Sequence, residues 1–559
     1  MKKLVIALLL MPMIVVQAQY NGHKFRPAPG WLKTAAFYQI YPQSFKDTNG
    51  DGIGDIAGIT QKLDYLKWLG IDAIWLNPCF ESMYQDAGYD VTDFYKVAAR
   101  YGTNDDLKKL FAEAHKRNMR VCLDLVAGHT SIDHPWFQQS QRATPNEFTD
   151  RYIWTNDSTV KPDRHISGKF ERNGTYRKNF FDCQPALNYG FGKPDPAQPW
   201  QQPVTAPGPQ ATRKELMKIM DFWMNMGCDG FRVDMAPSLM KNDPDRVETN
   251  KLWAEIRNHF QDRYPEGILI AEWGNPGRAI TAGFMMDFII HLGNNGYSSM
   301  FFNKVGTYRH DTCYFELKGE GTPTKFVNYY LEQLKVVGDS GYICVPTANH
   351  DFQRLNCGPR NTEDQLRVAM TFLMTIPGVP LYYYGDEIGM KFIDGLPSKE
   401  GSQLTKGNRA GSRTPMQWDA SAGAGFSTGD ISQYYLPIDS DPNRPNVATQ
   451  LKDKKSFIYF NRQLLAFRKK YPALGTLGKI DFIYAKENTY PLAYTRSLNG
   501  KKFLIVLNPS GKQTLVNLGR DYQTKRLKPL IVKNLKFSAK TTDLMIESDA
   551  LSYGIFEVL

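Results

Sequence analysis

Residues 214–226 carry Leu216, Ile219, Met220, Trp223 and Met224 at helical spacing and stop at Gly227, which predicts an amphipathic helix with a glycine C-cap. The run behind it, 230–236, is apolar except for Arg232 and Asp234. Two residues apart in a strand, these side chains point the same way. The alternation recurs along the chain. Strand-like runs fall at 36–41, 73–76, 119–126, 268–271, 284–290, 342–347 and 379–383, and helical patterns at 59–69, 101–117, 246–260, 325–337 and 365–375. Roughly eight β–α units in this order predict an α/β fold, a parallel (β/α)8 TIM barrel with its site at the C-terminal strand ends.

Two stretches break the alternation. Residues 130–212, rich in Asn, Asp, Gly and Pro, are far longer than an ordinary barrel loop and predict an inserted domain after the third strand. Its Pro- and Gln-rich tail, 193–210, is expected to be irregular. After about Tyr471 the pattern turns to short alternating runs such as 503–507, with turns at Asn499-Gly500 and Asn508-Pro509. A C-terminal antiparallel β domain, 472–559, follows. The barrel then comprises 31–129 and 213–471.

The first eighteen residues read as an export signal: Lys2 and Lys3, an apolar stretch too short to span a bilayer, and Val16-Gln17-Ala18 as cleavage site. The expected mature chain begins near Gln19, is periplasmic or secreted, and has no stable membrane span and no lipid-anchored Cys at the cut. At 559 residues, 42% hydrophobic and 13% aromatic, the chain is globular and holds more than one domain. Without Lys2 and Lys3, 66 basic residues face 57 acidic, a mature balance of +9. They are scattered, so a nucleic-acid footprint is not expected. Seven cysteines cannot all pair, and their spacing suggests no metal cluster.

One loop does suggest a metal. Asp47, Asn49, Asp51 and Asp55 place oxygens at alternate positions, glycines permit a tight wrap, and the carbonyl of Ile53 lies between. That is the pattern of a structural calcium loop. Gly58 stands where an EF-hand has its closing Glu, so this is not an EF-hand.

A charge pair inside a strand buried on both faces is costly unless something needs the charge. Gly230-Phe231-Arg232-Val233-Asp234-Met235-Ala236 resembles the fourth-strand motif of glycoside hydrolase family 13, the α-amylase and α-glucosidase family. The resemblance runs from about Phe37 to Trp418. It implies that Asp234 is the nucleophile and that Arg232 keeps it ionised. Glu272, between the apolar run 269–271 and Trp273, matches the general acid/base; a desolvated carboxyl has a raised pKa. Asn349-His350-Asp351 matches the third carboxylate and a sugar-binding His, and the Asp124 to His129 run matches a motif whose His contacts glucose. Gln184-Pro185-Ala186-Leu187-Asn188 matches a fifth motif, with Ala186 where an Asp is frequent. Gly128 replaces the Asn that helps bind an interdomain calcium in α-amylases, so that second ion is not expected.

Gly88-Tyr89-Asp90-Val91 and the segment from Ser412 to Trp418 match two further family segments. In the α-glucosidase and trehalose synthase-like branch they imply that Asp90 and Arg413, beside Tyr89, close the pocket floor around the terminal glucose. The calcium loop also resembles that branch. The expected protein is a retaining, exo-acting α-glucosidase on malto-oligosaccharides or related α-glucosides. The alternatives are an endo-acting α-amylase, a trehalose synthase-type isomerase or transglycosylase, and a non-catalytic binding homologue, which the intact carboxylate trio argues against. Oligomeric state is not legible.

Overall fold

The computed structural model describes residues 25–290, 294–305, 308–309, 313–397, 399–400, 409–519, 526–538 and 543–559; the export signal expected at 1–18 lies outside them. Eight short parallel strands close on themselves: β1 (Phe37–Ile40), β2 (Ala73–Leu76), β3 (Arg120–Leu125), β4 (Gly230–Val233), β5 (Ile268–Ala271), β6 (Met286–Phe288), β7 (Tyr342–Pro346) and β8 (Val379–Tyr383). They are largely apolar because helices cover the outside and side chains fill the inside, and the few buried charged residues, Asp124, Arg232 and Asp287, stand out. Each strand pairs with its sequence neighbours, and β1 pairs with β8. Register fixes the chemistry. Asp124 lies opposite Arg232, and Val233 opposite Ala271, so Asp234 and Glu272 leave adjacent strand ends side by side.

The predicted helix at 214–226 starts earlier, spanning Pro207–Met226, with Pro at its first turn and Gly227 at φ 113° as its cap. Proline is tolerated there because the N–H it lacks has no intrahelical partner, so the insert's tail is irregular only as far as Ala206. The pattern at 59–69 is two helices, Ile56–Gln61 and Leu63–Leu69, broken at Lys62. A hairpin, Phe80–Ser82 with Val91–Val97, rises from the barrel after β2 and was not predicted.

The segment after β3 holds the helix Pro135–Ser140, two short paired strands, and an isolated bridge from Ala186 to His129. Ala186 is buried against Ile153 and Phe191. Asn179 ties the segment to the barrel. Its Nδ2 lies 2.7 Å from where a Cβ on Gly128 would stand, so only glycine leaves it room. The buried ammonium of Lys241 donates to Asn179 Oδ1 at 3.0 Å and to the Ser238 carbonyl. Burial lowers its pKa to about 7.

The C-terminal residues form a six-stranded antiparallel sheet. Its strands are β9 (Lys479–Tyr484), β10 (Leu492–Leu498), β11 (Lys501–Asn508), β12 (Thr514–Asn517), β13 (Leu527–Ser538) and β14 (Met545–Val558). Two buried arginines near its junction with the barrel donate to carbonyls, and Arg496, on β10, reaches across to Thr375. Arg468 donates to Met374 and Ile376, where the helix Glu363–Thr375 ends. Arg496 donates to Thr375, Leu474, Gly475 and Gly478. All seven cysteines are buried free thiols. Among the described residues, no helix is long and apolar enough to cross a membrane.

Candidate active site

Arg232 organises the strand ends. Its Nη1 donates to Asp124 Oδ1 at 2.8 Å and to Asp234 Oδ1 at 3.1 Å, and its Nη2 pairs with Glu272 Oε1 at 2.8 Å. One guanidinium thus holds three carboxylates, and Asp234 and Glu272 are each only 8% exposed. Burial and the neighbouring Glu272 push the Asp234 pKa well above the usual carboxylate range, against the pull of Arg232. Glu272 is fixed from a second side: the N–H of Met235 donates to Oε2 at 2.9 Å. Met235 reaches it by adopting a left-handed backbone, φ 42°, which a non-glycine residue takes only under constraint.

Asp124 accepts from Trp75 Nε1 at 3.1 Å and Tyr89 Oη at 2.9 Å, and burial raises its pKa to about 6. His350 stacks on Tyr89 with ring centroids 5.5 Å apart. Gln39 Nε2 donates to its Nδ1 at 2.9 Å, so the ring proton belongs on Nε2, facing Tyr89 Oη at 2.9 Å. Burial holds this imidazole neutral. His129 differs from expectation. Its Nε2 donates to the Tyr89 carbonyl at 3.0 Å and its Nδ1 accepts from Asn179 at 3.0 Å. Both ring nitrogens are committed to protein, so His129 braces Tyr89 and offers a sugar no free donor.

The floor also departs from expectation, on both sides by four residues. Asp90 makes no hydrogen bond or ion pair with Arg413. Its carboxylate accepts from Ser82 Oγ and from the N–H groups of Gln85 and Asp86, each at 2.9 Å, and so anchors its own loop. The residue that this loop turns inward is Asp86. Its Oδ2 accepts from Gln184 at 2.7 Å, and its buried Oδ1 has no hydrogen bond, with Arg409 Nη1 3.7 Å away. Burial raises the Asp86 pKa to about 6, opposed chiefly by Arg409. Arg409 also pairs with Asp351 at 3.3 Å. Arg413 stays in the cluster through Asp351 at 3.4 Å and the His350 carbonyl at 2.8 Å. A wrong choice between carboxylates four apart was open to the sequence because both flank Gly88-Tyr89; loop direction decides it.

The metal loop is a chain of side-chain-to-backbone turns. Asp47 Oδ1 accepts from the N–H groups of Asn49 and Gly50, Asn49 Oδ1 from Asp51, and Asp51 Oδ1 from Ile53, all within 3.0 Å. Asp55 caps the next helix through Gly58 N–H and accepts from Thr48. Among the described residues, no three His, Cys, Asp or Glu side chains converge as a metal site. The loop's donors are hard oxygens held in order by backbone N–H groups, which suits calcium and no softer ion.

A carboxylate pair on one guanidinium, at the C-terminal end of a closed (β/α)8 barrel, supplies the groups that retaining glycoside hydrolysis uses. The chain belongs to the α-amylase family: residues 39–476 match the family described as Alpha amylase, catalytic domain. It is 32% identical over 516 residues to the trehalose synthase/amylase TreS of Mycobacterium tuberculosis, covering 84% of this chain and 80% of the relative. It is 31% identical over 528 residues to an oligo-1,6-glucosidase of Heyndrickxia coagulans, covering 86% and 92%. Among solved structures it resembles an isomaltulose synthase variant of Erwinia rhapontici in complex with sucrose, with TM-score 0.76, 27% identity, and 95% and 99% coverage.

Proposed function

We propose that this enzyme is an exo-acting, retaining α-glucosidase that releases glucose from the nonreducing ends of malto-oligosaccharides or related α-glucosides. Asp234 attacks the anomeric carbon while Glu272 protonates the departing glycosidic oxygen, leaving a glucosyl ester on Asp234. Glu272, now a carboxylate, takes a proton from water, which attacks the anomeric carbon, so that glucose leaves and Asp234 is restored as a carboxylate. Arg232 stabilises the negative charge that moves between the two carboxyls. Asp351 binds the sugar's hydroxyls, and the neutral His350 holds Tyr89 in place through its Nε2–H.

The observation that carries the exo reading is the buried, unbonded Asp86 Oδ1 beside Arg409. A buried acceptor without a donor costs free energy unless a ligand supplies one. The terminal 4-hydroxyl of a glucan does so, and the 4-oxygen of an internal glucose cannot. Wild-type enzyme should cut maltose to glucose and leave a maltoside blocked at its nonreducing end nearly inert. Cleavage of the blocked substrate at the free rate would make the enzyme an endo-acting amylase. Chromatography of the products would show free glucose if water is the acceptor, and an isomeric disaccharide if the glucosyl group returns to sugar.

The spacing and ordered carboxylates of the Asp47, Asn49, Asp51, Ile53 and Asp55 loop support a structural calcium there. Lys2, Lys3 and the apolar run behind them support export with cleavage near Ala18.

A further inference from the structure

Strand β6 is Met286–Phe288, and its middle residue is a fully buried carboxylate, Asp287. Its register partner is Ala271, the residue before Glu272. Asp287 Oδ1 accepts from the N–H of Trp273 and Oδ2 from the N–H of Asn275, both at 2.9 Å. From the far side, Tyr329 Oη donates to the carbonyl of Gly274 at 3.0 Å. Asn275 in turn caps the helix Pro276–Ala282 by accepting from Arg278 N–H at 3.1 Å. The segment that follows Glu272 is therefore gripped by its N–H groups and by its carbonyl.

A carboxylate buried in a barrel strand is costly, and an aliphatic side chain would pack there without that cost. Burial does push the Asp287 pKa up to about 7, with the backbone N–H groups pulling the other way. The cost makes sense if the loop it grips must not move. Glu272 has to keep Oε1 on Arg232 and Oε2 on the Met235 N–H while presenting a proton to the glycosidic oxygen. Its own N–H is tied to the Val233 carbonyl at 3.1 Å, so the strand side of Glu272 is fixed by β4. Among the described residues, the hydrogen bonds that reach this loop from neighbouring barrel elements come from Asp287 and Tyr329, and the Trp273 ring lies edge-on to Phe284.

We propose that Asp287, seconded by Tyr329, is the positioning residue of the general acid/base: it fixes the path of residues 273–275 and thereby the direction of the Glu272 carboxyl. This deepens the retaining-glycosidase reading and rests on it. A group displaced by about an ångström loses catalysis on the order of 100-fold, and only in steps that need that group. In Asp287→Asn one acceptor remains, but an NH2 is turned against a backbone N–H. For this variant kcat/KM on maltose should fall roughly 30- to 100-fold, while on p-nitrophenyl α-glucoside, whose leaving group departs without a proton, it should fall less than about fivefold. Tyr329→Phe, which removes one hydroxyl from a partly exposed helix residue, should show the same ordering at about three- to tenfold on maltose; it reads the proposal alone if Asp287→Asn does not fold. Equal losses on both substrates, or wild-type rates in the variants, would overturn it. Wild-type turnover of both substrates is the control. If wild type leaves maltose intact, the exo reading fails by itself, and the same ratio is read with p-nitrophenyl maltotrioside against maltotetraose.

Discussion

Asp86 and Asp90 share one loop, both are buried, and both flank a tyrosine that touches the catalytic cluster, yet they do different work. The Asp86 carboxyl titrates near 6 because burial raises it, so it is an anion above that pH and neutral below. A charged acceptor binds a hydroxyl more strongly than a neutral one. KM for maltose should therefore rise about fivefold as pH falls through 6, whereas Asp86→Asn should show a high KM that is flat across the same range. Reading KM separates this from Asp124, which titrates near the same pH but acts on kcat through Arg232. Replacing Asp90 should instead cost stability, since it removes the acceptor for two loop N–H groups. At the chemical centre, Asp234→Asn and Glu272→Gln should each lower kcat by roughly four orders of magnitude with the fold intact, because the pair acts as a unit. Near-wild-type turnover of either variant would refute the roles. Charge in an apolar strand singled out Arg232 and Asp234, and resemblance to the family's motifs gave them and Glu272 their roles. It missed Asp86 and Arg409 because polar residues in loops are ordinary, and only the folded path turns them inward.

Elements were legible where one periodicity governs them and illegible where tertiary contacts take over. The pattern ending at Gly227 gave the helix its end but not its beginning, since proline at a first turn reads locally as loop. β6 was expected to span 284–290 and is three residues long, Met286–Phe288, since periodicity does not mark where backbone pairing stops. The Asp47 to Asp55 loop carries an expectation at this scale. If it binds calcium, ligation to the native state alone raises stability by mass action. Chelation should lower the melting temperature and added calcium should restore it; an identical melting curve for Asp51→Ala in calcium would sink the idea.

At the scale of the molecule, Arg496 of the C-terminal sheet reaches the barrel at Thr375, beside the helix end that Arg468 holds, and both bond main-chain oxygens. Burial lowers their pKa values, to about 10 and about 9. Arg496→Met should keep the volume while stranding carbonyls at the junction, costing about 3 kcal/mol in urea unfolding and leaving KM for maltose unchanged. No local pattern announces this pair, since an arginine in a strand and one near a helix end each read as surface. The proposed exo action has a consequence on a scale larger than the protein. An enzyme that can swallow only a chain end shortens every chain by one unit at a time. A paste of long glucan would stay thick while sweetness accumulates steadily, and would thin only when its chains were nearly consumed.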